Sequence, residues 1–188
     1  SKQAIIKLLD KLHDDRIGIV IFAGDAYLQL PFTNDYAAAR MFLSTVSNES
    51  IQYQGTAIGA AIQMGVKSLP RGGIRNKAII VISDGENHED DALAEAKAAK
   101  EAGVIVHTLG IGTPDGSPIP EMRDGERIGF KTDDAGQTVI SRMNPQMLQE
   151  IAQAGGGKFV QASGSDIGLE ELFNQINSMQ KSDFGTKA

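Results

Sequence analysis

Two oxygen-bearing side chains stand where this sequence could do chemistry. Asp84 ends the apolar run Ala78-Ile79-Ile80-Val81-Ile82-Ser83 and is followed by Gly85-Glu86. Thr56 follows Gly55 at the head of a stretch in which Ile58, Ile62, Val66 and Leu69 repeat every three or four residues. A hydroxyl and a carboxylate are hard oxygen donors, suited to Mg²⁺ or Mn²⁺ rather than to a soft metal. Two ligands alone make a weak site, and each has an ordinary duty as well: Asp84 as a turn residue at a strand end, Thr56 as a helix N-cap.

The other polar groups suggest less. Glu86, His88, Glu89, Asp90 and Asp91 read as an acidic helix start meeting the macrodipole rather than as a cation cluster. His107 lies inside an apolar strand and reads as a core or interface residue, and His13 ends a helix. Gly110 and Gly112 after a strand resemble a dinucleotide loop only weakly, because the third glycine, Gly116, comes one residue late and no helix follows. Gly24-Asp25 reads as a turn at the rim of the same crevice.

The elements that must position Thr56 and Asp84 follow from periodicity. The run before Asp84 has the composition of a strand buried on both faces, the kind found in parallel sheets, whose ligand crevices lie beyond the carboxyl ends of their strands. Ile5, Leu8, Leu9 and Leu12 mark a first helix, Ile17 to Ala23 a second buried strand, and Tyr27 to Leu30 a short partner that Pro31 ends. Asn34 or Asp35 caps a helix over 36–46 with Ala38, Met41, Phe42 and Val46 at helical spacing. An alanine-rich helix over 90–102, a strand over 104–109, a helix begun by Asn144-Pro145 and ended by Gly155-Gly156-Gly157, a strand over 158–161 and a closing helix complete the alternation. Residues 113–143 interrupt it with turn signals and read as an inserted β-hairpin.

This order predicts one α/β domain over residues 1–188: a three-layer, doubly wound, mostly parallel sheet flanked by helices, with an antiparallel edge hairpin. The chain opens on a helix feeding a buried strand, which is the second half of a β-α-β unit, so a first strand is expected upstream of Ser1. A formal charge of -6 argues against a nucleic-acid surface. With no cysteine there is no disulfide and no thiolate site. No apolar run approaches the roughly 20 residues that span a bilayer, so this chain is expected to be soluble.

The blocks Arg-Ile-Gly-Ile-Val-Ile-Phe-Ala-Gly-Asp at 16–25, Gln-Gly-Thr-Ala-Ile-Gly at 54–59 and Ile-Ser-Asp-Gly-Glu at 82–86 resemble the von Willebrand factor A domain. Together with Leu-Pro-Phe-Thr-Asn-Asp-Tyr at 30–36 and the insertion, they resemble more narrowly the bacterial aerotolerance (Bat-type) proteins. The resemblance implies a metal-ion-dependent adhesion site with Thr56 and Asp84 as two ligands. Its other motif, Asp-x-Ser-x-Ser after the first strand, is absent here, and the remaining ligands are expected upstream of Ser1.

The function so implied is a divalent-cation-dependent protein-interaction module, not an enzyme. Mg²⁺ or Mn²⁺ would bind in the intact parent, weakly or not at all in this chain, and a partner's acidic side chain would complete the coordination. The implied partners are other von Willebrand A proteins and a MoxR-type ATPase. The implied parent is stress-related and anchored in the bacterial inner membrane, with the domain in the periplasm. The sheet gap would be closed by rearranged pairing, an exchanged segment or a dimer paired at its edges. The competing classes are an α/β enzyme holding a phosphate or nucleotide near Thr56 and Asp84, and a metal-independent assembly scaffold.

Overall fold

The computed structural model describes residues 2–12, 15–45, 57–70, 76–85, 91–123, 126–162 and 167–182. The elements run α1 (Lys2–Lys11), β1 (Ile17–Phe22), β2 (Ala26–Thr33), α2 (Tyr36–Thr45), α3 (Ile58–Ser68), β3 (Lys77–Ser83), α4 (Ala92–Glu101) and β4 (Val104–Gly110). The insertion holds β5 (Ser117–Pro118), β6 (Pro120–Arg123), β7 (Glu126–Phe130) and β8 (Ile140–Ser141), and the chain closes with α5 (Pro145–Ala154), β9 (Gly156–Gln161) and α6 (Ile167–Ser182).

The expected three layers are present. One face is covered by α3, α4 and α5, whose Ile58, Ile62, Ala96, Ala99 and Ile151 pack with Val81 and Val106 of the strands. The opposite face carries α1 and α2, with Leu9, Ala39 and Leu43 on Ile19 and Leu30, and α6, with Leu172 on Leu109 and Val160. The α2 stripe differs from the expected one: Ala39 and Leu43 are buried while Met41 is 60% exposed. Tyr36 and Phe42 pack beside the buried pair, so the tyrosine sets the inward direction of the helix.

The strands, however, form two main sheets. β1 pairs antiparallel with β2, and β3, β4 and β9 form a parallel sheet in the order β3-β4-β9. Helix α3 ties the two together. Its first turn follows Ala57, whose N–H donates to the carbonyl of Ala23 just past β1 at 2.7 Å. Near its far end, an added Cβ on Gly65 would lie 3.0 Å from Ile79 Cδ1, at the start of β3. Because α3 runs from the carboxyl end of β1 to the amino end of β3, those strands point the same way.

β1 and β3 are hydrogen-bonded to β2 and β4 respectively and not to each other. The cores report the same break. On the α3 face one cluster reaches from Phe22 and Phe32 to Val81 and Val106, whereas the opposite face has one cluster over β1–β2 and a separate one over β3–β4–β9. The expectation that β1 and β3 are buried on both faces is corrected here. Ile79, Ile80 and Ile82 are only half-buried, as are Ile17, Val20 and Ile21, while β4 is buried almost throughout. A strand lacking a lateral neighbour leaves that flank uncovered. Among the described residues no rearranged pairing closes the gap.

Local chemistry explains several boundaries. Pro31 does not end β2, which continues to Thr33, because the ladder slips between Ile17↔Thr33 and Ile19↔Leu30, and proline is tolerated at such irregularities. Asp35 caps α2 through Ala38 N–H at 2.9 Å, and Asp91 caps α4 through Ala94 N–H at 3.0 Å. Asn144 caps α5 through Met147 N–H at 3.1 Å, with Pro145 in the first turn. The glycines after α5 do more than end it: β9 begins at Gly156, and a Cβ on Gly157 would meet the Val106 carbonyl oxygen at 2.1 Å. Strand β9 can approach β4 there only without a side chain.

His107 is the core residue expected, 2% exposed on β4. Its Nδ1 accepts the Lys158 N–H at 3.1 Å, so the ring proton resides on Nε2, which is buried with no hydrogen-bond partner among the described residues. Burial holds the imidazole below its ordinary value near 6.5. The folded pKa is lower than the unfolded one, so the unfolded chain takes up the proton first as pH falls. Stability is then fully present above about pH 6.5 and declines below it, by at most about 1.4 kcal/mol per pH unit, until the folded pKa is passed. Urea unfolding of His107→Gln between pH 7 and 5 is expected to show a flatter acid limb than the parent chain; parallel limbs contradict this account.

Candidate functional site

Strand β3 delivers Asp84 to the carboxyl end of the parallel sheet, beside the break. Its side chain is half-buried, at the junction of core and solvent. Gly85 turns the chain with φ of +82°, a conformation that side-chain-bearing residues rarely adopt. The turn is held closely: Gly85 N–H donates to Ser83 Oγ at 3.1 Å, and Ser83 is itself buried.

The carboxylate is gripped from two directions. Ser83 Oγ reaches Asp84 Oδ1 at 3.5 Å, and Ser141 Oγ donates to Asp84 Oδ2 at 3.2 Å. Ser141 comes from β8, at the far end of the insertion. That segment is more than a single hairpin: β6 pairs with β7, β5 with β8, and Thr132 bridges Thr138. Its exit strap closes on the site through Asn144 N–H, which donates to the Asp84 carbonyl at 2.7 Å.

Thr56 lies outside the described residues. Ala57 flanks the first turn of α3, and the reading of Thr56 as a helix cap also lies outside the described residues. Ala57, next in the chain, sits beyond the end of β1 on the other side of the break. Asp25 behaves as the turn residue expected, its Oδ1 accepting Ala26 N–H at 2.8 Å. Glu86, His88, Glu89 and Asp90 lie outside the described residues, and Asp91 serves as a cap.

The Ser83 and Ser141 hydroxyls beside Asp84 are hard oxygen donors of the kind that suits Mg²⁺ or Mn²⁺, though not in sufficient number among the described residues. Among the described residues no three His, Cys, Asp or Glu side chains converge. His107 is remote, its register partner Ile80 lying four residues before Asp84, or roughly 13 Å along the strand. No nucleophile and base pair stands at Asp84 among these contacts. Sequence reasoning missed Ser141, which is 57 residues away in the chain and carries no local signal.

The family model for the von Willebrand factor type A domain matches residues 1–175. The chain belongs to that family. The crystal structure of a conserved hypothetical protein, BatB, from Bacteroides thetaiotaomicron is 44% identical with a TM-score of 0.87, over 96% of this chain and 86% of that one. An aerotolerance-related membrane protein from Bacteroides fragilis is 43% identical with a TM-score of 0.85, over 94% and 86%. Proximal thread matrix protein 1 from the mussel byssus, solved with a zinc-occupied MIDAS motif, is 17% identical with a TM-score of 0.61, over 94% and 38%, and shares the fold alone. The chain spans about half or less of the length of the curated relatives it matches. None of its described helices is long and apolar enough to cross a membrane.

The turn at Gly85 gives a test of how tightly the site is built. A Cβ there would lie 2.5 Å from the Asn144 carbonyl oxygen and 2.8 Å from Leu148 Cγ, on a backbone already at positive φ. Gly136, at φ +76°, has nothing within 4 Å. Gly136→Ala is expected to cost about 1 kcal/mol from backbone strain, and Gly85→Ala more than about 2 kcal/mol from strain plus overlap. Equal losses in urea unfolding would mean that the Asn144 strap does not press on the Asp84 turn.

Proposed function

We propose that this von Willebrand A domain is a protein-interaction module whose intact form recognises a partner's acidic side chain through a divalent cation, Mg²⁺ or Mn²⁺. Asp84 and Thr56 are two of the ligands, and the remainder come from an upstream strand carrying Asp-x-Ser-x-Ser. The observation that carries this reading is the Asp84 carboxylate: it stands at the carboxyl end of a parallel strand, beside the break in the sheet, with the hydroxyls of Ser83 and Ser141 at its two oxygens. Domains of this family are generally interaction modules rather than enzymes. The cation supplies positive charge that a carboxylate can bind directly; the chain's part is to hold its oxygen donors rigid.

The likeness to BatB and to an aerotolerance-related membrane protein supports placing the parent among membrane-associated bacterial proteins of the aerotolerance or stress type. Other von Willebrand A proteins and a MoxR-type ATPase remain its proposed partners. An exchanged strand or an edge-paired dimer is the proposed way in which this chain covers its open edges.

Calorimetry tests the cation directly. The 188-residue chain is expected to take up Mg²⁺ or Mn²⁺ weakly or not at all. A domain extended upstream through the Asp-x-Ser-x-Ser segment should bind measurably, and Asp84→Ala should weaken that binding at least tenfold. Tight binding by the 188-residue chain, or no effect of Asp84→Ala in the extended domain, contradicts the assignment.

A further inference from the structure

The insertion between β4 and α5 is fastened to the end of β3 at both of its ends. On entry, Ile111 N–H donates to the Ser83 carbonyl at 2.9 Å. Its neck closes through Met143 N–H on the Thr113 carbonyl at 3.0 Å, and on exit Asn144 N–H reaches the Asp84 carbonyl at 2.7 Å. These contacts fix backbone. One further contact acts on the functional group itself, the bond from Ser141 Oγ to Asp84 Oδ2 at 3.2 Å.

Ser141 is well placed to hold a direction. It pairs with Ser117 across β5 and β8, is half-buried, and is followed two residues later by the buried Met143. Across the carboxylate, Ser83 Oγ faces Oδ1 while accepting the Gly85 N–H, so the hydroxyl on that side is itself held in place. Asp84 is thus oriented on one side by its own strand and on the other by a segment more than fifty residues away.

We propose that Ser141 is a positioning residue for Asp84: its hydroxyl keeps the carboxylate in a single rotamer, which makes the inserted segment part of the cation site. The functional meaning rests on the reading of Asp84 as a cation ligand, whereas the geometric claim stands without it. Hydrogen-bonded outer partners of metal ligands fix ligand orientation, and removing one typically lowers metal affinity 10–100-fold. If Ser141 merely tied the insertion down, its loss would lower stability and leave the carboxylate where it is.

The test compares the parent with Ser141→Ala and Ser141→Thr. In the 188-residue chain without metal, NMR couplings of the Asp84 β-protons report the rotamer. In the domain extended upstream, Mn²⁺ titration followed by paramagnetic broadening reports affinity. The parent and Ser141→Thr are expected to show one Asp84 rotamer, and Ser141→Ala an average. The Mn²⁺ affinity of Ser141→Ala should fall about 10–100-fold, with Ser141→Thr retaining it. A single unchanged rotamer in Ser141→Ala overturns the proposal, and so does undiminished Mn²⁺ affinity in that variant. If the rotamer averages in Ser141→Ala but no variant binds Mn²⁺, positioning stands and the cation reading of Asp84 falls.

Discussion

The structure turns on backbone groups along the facing edges of β1 and β3. Among the described residues each strand is paired on one side only, with β2 or β4, and its other edge meets no strand. Buried peptide groups without partners are costly, and exposed edges invite pairing with another chain. The half-burial of Ile79, Ile80 and Ile82 is the side-chain counterpart of that open edge. Helix α3 holds the halves in one domain from one face. On the other face the halves meet through α1 and α6, where Lys11 reaches Glu170 at 3.1 Å, an exposed pair of little energetic weight.

The same break determines what the site can be. A crevice at the carboxyl end of a parallel sheet draws its groups from loops on either side of a switch in strand order. Here one side is built: Asp84 is fixed by the Gly85 turn, the Ser83 hydroxyl and the strap from the insertion. The other side begins where Ala57 meets Ala23 beyond β1. A single oriented carboxylate with hydroxyl neighbours can share a cation with further oxygen donors, but it cannot by itself hold one tightly.

Much of this was legible in the residues. The alternation of apolar runs and amphipathic stretches predicts the layers, and Asn144-Pro145 predicts the start of α5. What escaped depends on tertiary context. Pro31 lies inside β2 because a register slip absorbs it, and Met41 faces outward because the inward face of α2 carries Ala39 and Leu43, with Tyr36 and Phe42 beside them. Gly156 and Gly157 signal a stop locally, yet they serve a strand that must nearly touch the Val106 backbone. Ser141 joins the site only once the insertion folds back, an event with no periodicity to betray it.

Amide hydrogen exchange along the strands of the 188-residue chain tests the split sheet most directly. In β3 (Lys77–Ser83), amides that point toward β4 should be strongly protected, while the alternate amides facing β1 should exchange far faster, by orders of magnitude. Strand β4, paired with β3 along its length and with β9 from Val106 to Gly110, should be protected on both edges over that stretch. Uniform protection along β3 in the dilute monomer, matching that of β4, would contradict the account, because a segment of the same chain would then already be paired in the space between β1 and β3; protection that appears only as chains associate is the edge pairing proposed above.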